Sequence, residues 1–339
     1  MREEASSRIV FSAGSDEPMD GRYSRLRERA LRSARGALAL VADPVEGALN
    51  LKAKVAERKE LRAKRTKGVG GFMPWPPCPY DIDEDWERHL HELIGAPWPC
   101  PVTDRFRQLW PRVMESLEAR GYVLGRGAFA GWGDGEPGLA RAVWCLTLHL
   151  RPVVVVETGV ARGITSRFIL EALTHNQSGH LWSIDLPPPR DRATHSQIGS
   201  AVPESLRGRW TYVRGSSRRR LRPLLDRLAG VDLFIHDSRH TQRNLLFELE
   251  HAWRHLNPRG VVVADDADLN CGLHTFAGER PGFPCVICPA EPVEPDPGRQ
   301  DDRGVFAVMR KEAAPAIPVG HKAATPTSAN RRTGSQSPG

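Results

Sequence analysis

Val153-Val154-Val155-Val156-Glu157-Thr158-Gly159-Val160-Ala161-Arg162-Gly163 decides how the rest of the chain is read. Four consecutive valines offer no polar side to water, so Val153–Val156 predicts a strand buried on both faces, as in an α/β sheet covered by helices. Glu157 and two glycines then close the strand with a tight turn, and a helix is expected from Ile164 to about Leu173. Gly159 permits a backbone that a Cβ would hinder, and Gly163 allows close approach to the helix start. The free N–H groups and positive dipole end of that helix give a ligand a place at the carboxyl end of the strand.

Spacing restricts the ligand. The dinucleotide fingerprint requires G-x-G-x-x-G, whereas this turn reads E-x-G-x-x-x-G, with acidic Glu157 where the fingerprint begins. A carboxylate there disfavours a pyrophosphate and suits an ammonium or sulfonium group. No G-x-x-x-x-G-K-[ST] is present, which argues against a phosphate-binding loop of that kind.

Further along, the valine-rich pattern alternates with helices. Strands are predicted at Val153–Val156, His180–Ile184, Trp210–Arg214, Val231–His236 and Gly260–Ala264. Helices are clearest at Gly138–Leu150, Thr165–Leu173, Arg218–Leu228 and Thr241–Leu256. This rhythm implies a parallel sheet with right-handed crossovers. Gly304–Met309 reads as a further strand, and Pro284–Ile287 as a weaker one.

With Glu157-Thr158-Gly159-Val160-Ala161-Arg162-Gly163 and Ser183-Ile184-Asp185-Leu186-Pro187, the chain resembles the class I S-adenosylmethionine-dependent methyltransferases over about Gly131–Arg310. The resemblance is to their small-molecule, metal-dependent O-methyltransferase-like branch. It implies a Rossmann-like sheet of seven strands with the last one antiparallel, and a cofactor site at Glu157, Gly159, Gly163, Asp185, Gly215 and Ser216. There Asp185 takes the two ribose hydroxyls, since one carboxylate accepts from two adjacent donors. Gly215 and Ser216 frame the adenine.

Three more carboxylates follow strand ends: Asp237 after Val231–His236, and Asp265 and Asp266 after Gly260–Ala264. On adjacent parallel strands about 4.8 Å apart they converge. Acids so close repel one another unless a positive charge lies among them. A hard divalent cation such as Mg²⁺ meets that need, and the resemblance implies that these three hold it. Related enzymes often show Asp-Gly-Asp-His after this strand, but here the run is Asp237-Ser238-Arg239-His240. Arg239 replaces the second acid, leaving His240 as the general-base candidate beside Asp237. Neither an Asn/Asp-Pro-Pro-aromatic run nor a Pro-Cys follows that strand, which argues against nucleic-acid methylation. Three strand-end acids argue against a non-catalytic binding module. His236 reads as a buried, satisfied histidine, and Cys285-x-x-Cys288 as incidental cysteines.

The remaining sequence predicts appendages. The 339 residues carry a net charge of +7. Residues 1–70 hold 16 Lys or Arg against 10 Asp or Glu. With few aromatics to stack on bases, this segment reads as a basic, largely disordered extension rather than a nucleic-acid arm. Residues 71–130, rich in Pro and Trp, read as a helical cap with helices at Ile82–Leu93 and Asp104–Arg120. Residues 131–312 form the expected cofactor-binding domain, and 313–339 a disordered tail. No secretory pattern or membrane-length apolar run is seen, and six scattered cysteines suit a reducing compartment. The expectation is a cytoplasmic enzyme acting on a small-molecule hydroxyl, with S-adenosyl-L-methionine and Mg²⁺ as cofactors.

Overall fold

A computed structural model of the chain describes residues 44–46, 48, 51–52, 55, 78–129, 132–186, 192–293 and 303–312. Seven strands form one sheet in the order β5-β4-β3-β6-β7-β9-β8. They are β3 (Val154–Thr158), β4 (His180–Asp185), β5 (Trp210–Arg214), β6 (Val231–His236), β7 (Leu256–Ala264), β8 (Cys285–Pro289) and β9 (Val305–Arg310). β3 to β7 run parallel, while β9 is antiparallel to both β7 and β8. The expected Rossmann-like arrangement with a reversed last strand is therefore present.

Strand alternation sorts the core into two layers. On one face Val155, Leu181, Leu233, Ile235, Val263, Phe306 and Val308 pack under α3 (Pro137–Leu150) and α4 (Ile164–Asn176). α1 (Trp86–Ile94) and α2 (Thr103–Glu118) complete that layer, with Phe106 and Trp110 against the fully buried Phe168 of α4. On the other face Val156, Ile184, Phe234, Val262 and Ala307 meet α6 (Ser217–Leu225), α7 (Gln242–His255) and α8 (Gly272–Gly278). The short α5 (Arg192–Gln197) follows β4. No helix among the described residues is long and apolar enough to cross a membrane.

Most element ends lie within a few residues of expectation, and the shifts have local causes. Val153 stays outside β3 and largely exposed, because Asp232 Oδ2 accepts both the Val153 and Val154 N–H groups at 2.8 and 2.9 Å. The segment expected to be a purely helical cap also contains strand β1 (Gly125–Phe129), which pairs antiparallel with β2 (Trp132–Asp134). Arg162 from the β3–α4 turn anchors this hairpin. It is 3% exposed, forms a 2.5 Å ion pair with Asp134, and donates to the Val123 and Ala128 carbonyls. In the basic extension, residues 44–46, 48, 51, 52 and 55 are helical and Glu46 is buried. Residues 56–77 and the 313–339 tail lie outside the described residues.

Candidate active site

β3 is the strand at which the chain changes direction across the sheet, toward β4 and β5 first and toward β6 and β7 afterwards. In an open α/β sheet the crevice for a ligand lies outside the carboxyl ends of the strands at such a switch, here β3 and β6, and the sequence-derived residues gather there. Gly159 leaves β3 with φ +87°, and its N–H donates to the Ile184 carbonyl at 2.8 Å. A Cβ there would lie 1.7 Å from the Asp237 carbonyl oxygen, so only glycine lets the turns after β3 and β6 pass this closely. Gly163, at φ +81°, is the residue before α4.

Asp185 ends β4 and turns back toward the same loop. Its Oδ2 accepts the Val160 and Ala161 N–H groups at 3.3 and 3.1 Å. Burial raises its pKa, and those backbone donors oppose the rise. The Gly215 N–H donates to the Asp185 carbonyl at 2.9 Å, which draws the β5–α6 loop toward the β3 turn. Ser216 donates from its N and Oγ to the Glu46 carboxylate at 2.8 and 2.6 Å. That contact was not legible in the sequence, because 170 residues separate the partners.

Glu157 behaves differently from a ligand-facing carboxylate. It is 0% exposed, and its Oε2 accepts Ser166 Oγ and Ser183 Oγ, both at 2.6 Å. Burial pushes its carboxyl up to about 7, against those two hydrogen bonds and with the Asp185 charge adding. It ties β3, β4 and the first turn of α4 together beneath the turn.

The second cluster forms where β6 and β7 end side by side, with His236 paired to Ala264. Asp237, His240 and Asp265 place ligand atoms within 4.8 Å of one another, and so do Glu136, Asp265 and Asp266. The sequence reading grouped Asp237, Asp265 and Asp266. The structure brings His240 into the group at 3.4 Å from Asp266 and 3.8 Å from Asp237. Glu136, just before α3, is an addition that sequence spacing could not supply. Asp237 is raised well above the carboxylate range by burial first, then by the charges of Glu136, Glu157 and Asp266. The donor set is oxygen-rich with one imidazole, and its negative charge is crowded. It therefore fits a hard divalent cation.

Under this cluster lies a network absent from the sequence reading. His236, fully buried as expected, places Nδ1 2.5 Å from Glu248 Oε2. Thr158 Oγ1 donates to the same oxygen at 2.5 Å, while Ser238 Oγ and Asn244 Nδ2 donate to Oε1. Burial alone would raise Glu248, but the neighbouring His236 charge and the donated hydrogen bonds hold it down to about 2. The network fixes the backbone at both crevice strands, β3 and β6. His274 is exposed on α8.

Residues 156–267 match the family described as a methyltransferase domain. No curated protein is similar to the chain in sequence. Among solved structures, the chain is similar to the O-methyltransferase TomG of Streptomyces achromogenes, in complex with S-adenosylmethionine and involved in tomaymycin synthesis. Identity is 15%, coverage 60% of this chain and 89% of that one, and the TM-score 0.45. It is also similar to an O-methyltransferase from Bacillus cereus in complex with S-adenosylhomocysteine, at 13% identity, 68% and 99% coverage and a TM-score of 0.45. The matched segment runs from β3 through Asp265 and Asp266 after β7, so the part of the chain that carries the Gly159 turn, Asp185 and the strand-end acids is the part similar to a methyltransferase domain.

Proposed function

We propose that the enzyme methylates an oxygen of a small molecule, a sugar, phenol or natural-product hydroxyl, with a divalent metal such as Mg²⁺ assisting. The observation that carries this reading is the convergence of Glu136, Asp237, Asp265, Asp266 and His240 beside the Gly159 turn. S-adenosylmethionine supplies an electrophilic sulfonium methyl. The Gly159–Gly163 turn, Asp185, Gly215 and Ser216 bind and orient it, and Glu157 holds the turn from behind. When bound, a divalent cation supplies a Lewis acid that eases ionisation of a substrate hydroxyl. Asp237, Asp265 and Asp266 would hold it, with Glu136 contributing from α3.

His240 is the general base, removing the hydroxyl proton as the oxygen approaches the methyl carbon. Asp266 and Asp237 lie close enough to orient its ring. Orientation of hydroxyl and methyl in this crevice supplies the proximity advantage. Residues 71–130 serve as a cap over the 131–312 domain.

The test is transfer of a radiolabelled methyl group from S-adenosylmethionine to a panel of catechols, sugars, amines and nucleic acids, with Mg²⁺ or EDTA. Label should enter hydroxyl acceptors, more strongly with Mg²⁺. Label entering only amines or nucleic acids would overturn the reading.

A further inference from the structure

Away from the crevice, four metal-ligating side chains gather between α1, the loop after it and the C-terminal end of α3. His91 is in the last turn of α1 and is 1% exposed. Cys100 closes the Ala96–Pro101 loop and is 6% exposed. Cys145 and His149 share one face of α3 at i and i+4 spacing. His91, Cys100 and His149 place ligand atoms within 4.8 Å of one another.

The distances have a recognisable scale. Zinc takes sulfur at about 2.3 Å and imidazole nitrogen at about 2.0–2.1 Å, so the edges of a tetrahedral site are about 3.8 Å for S···S and about 3.5 Å for S···N. Cys100 Sγ lies 3.7 Å from Cys145 Sγ and 3.5 Å from His149 Nε2. The sulfur pair is far beyond the roughly 2.05 Å of a disulfide.

A second observation concerns His91. Its Nδ1 is 2.6 Å from the Glu87 carbonyl oxygen, so that nitrogen donates. Nε2 is then a bare lone pair, buried and without a hydrogen-bond partner. A backbone carbonyl fixing the tautomer of a histidine is the usual outer support of a metal ligand.

We propose that His91, Cys100 and His149 hold a zinc ion, with Cys145 hydrogen-bonded beside Cys100. Mixed sulfur and nitrogen donors select zinc over the hard cations suited to the carboxylate cluster. His91, Cys100 and His149 supply three positions of a tetrahedral sphere, and Cys145 Sγ, 3.7 Å from Cys100 Sγ, stands beside the fourth. The ion pins α1 and the proline-rich loop to α3. Glu136 lies at the opposite end of that helix, about 20 Å away at 1.5 Å per residue.

The test uses the full chain, free of histidine tags and purified without added metal. Elemental analysis should find one zinc per chain that survives brief dialysis against EDTA. Stripping with a stronger chelator and adding Co²⁺ should give a thiolate-to-cobalt charge-transfer band and tetrahedral d–d bands. Cys100→Ser should lose the zinc, while Asp265→Asn keeps it. The cobalt measurement on the wild-type chain keeps the test decisive if a cysteine variant fails to fold. Wild type without zinc and without the charge-transfer band would overturn the proposal. So would a Cys100–Cys145 disulfide in a non-reducing thiol count, or full zinc retention by Cys100→Ser.

Discussion

Replacing Gly159 with alanine tests the crevice at its tightest point. The added methyl would lie 1.7 Å from the Asp237 carbonyl oxygen, 2.5 Å from its carbonyl carbon and 3.0 Å from the Ser238 nitrogen. All three are backbone atoms, so no side chain can swing aside. The φ of +87° adds about 1–2 kcal/mol for a residue with a Cβ. Overpacking of this kind costs about 1–3 kcal/mol when the surroundings shift to relieve it. The sum, about 2–5 kcal/mol, is a large fraction of the ~5–15 kcal/mol that holds a domain together. Relief requires the β3 and β6 turns to separate, which moves the Gly159–Gly163 turn relative to Asp185 and Asp237. Urea unfolding should therefore show that loss of stability, and calorimetry should show S-adenosylhomocysteine affinity falling by tenfold or more. Gly159→Val should abolish binding. An alanine variant with wild-type stability and affinity would refute the reasoning.

Other perturbations give separable outcomes. Glu157, raised to about 7 by burial, binds its proton in the folded chain at pH values where the unfolded chain has released it. Its contribution therefore lowers stability as pH rises from about 4.5 to 7, by about 3 kcal/mol, and Glu157→Gln should lack that decline in unfolding measured across the window. Glu248→Ala removes the acceptor shared by His236, Thr158, Ser238 and Asn244. Denaturant unfolding should record a loss of about 3–5 kcal/mol, and a loss under 1 kcal/mol would show the network to be dispensable. Asp265→Asn should weaken Mg²⁺ binding while S-adenosylhomocysteine affinity stays nearly constant, since Asp265 belongs to both acid groups and to none of the cofactor contacts. His240→Ala should keep both ligands and slow methyl transfer by about 10²–10⁴, read in single-turnover kinetics.

Residues whose role depends on their own strand were legible in the sequence. Val154–Thr158, Val231–His236 and the turns after them declare themselves through buried β-branched runs ended by Gly or Asp, and Trp210–Arg214 and Val231–His236 fall on the expected residues. Strand order then brings Gly159 to Asp237, and Asp237 to Asp265. Residues whose role depends on long-range packing were hidden. Glu136 reads as a helix start and Glu248 as one acid on an amphipathic helix, and nothing local marks either as part of a strand-end cluster. Cys100 and Cys145 look scattered because 45 residues separate them. The β1–β2 hairpin escaped notice because Gly125-Arg126-Gly127-Ala128-Phe129 has a weak strand signal and depends on Arg162 to hold it. Glu157 was recognised as part of the turn, but its inward orientation is set by Ser166 and Ser183 on neighbouring elements.

A crystal structure of the full chain with S-adenosylhomocysteine and Mn²⁺, using the anomalous signal of manganese, tests the central claim most directly. The account predicts the ribose on Asp185, the cofactor along the Gly159–Gly163 turn, and a manganese peak among Asp237, Asp265 and Asp266. A cofactor bound elsewhere, or a cofactor in place with no manganese among those carboxylates, would contradict it.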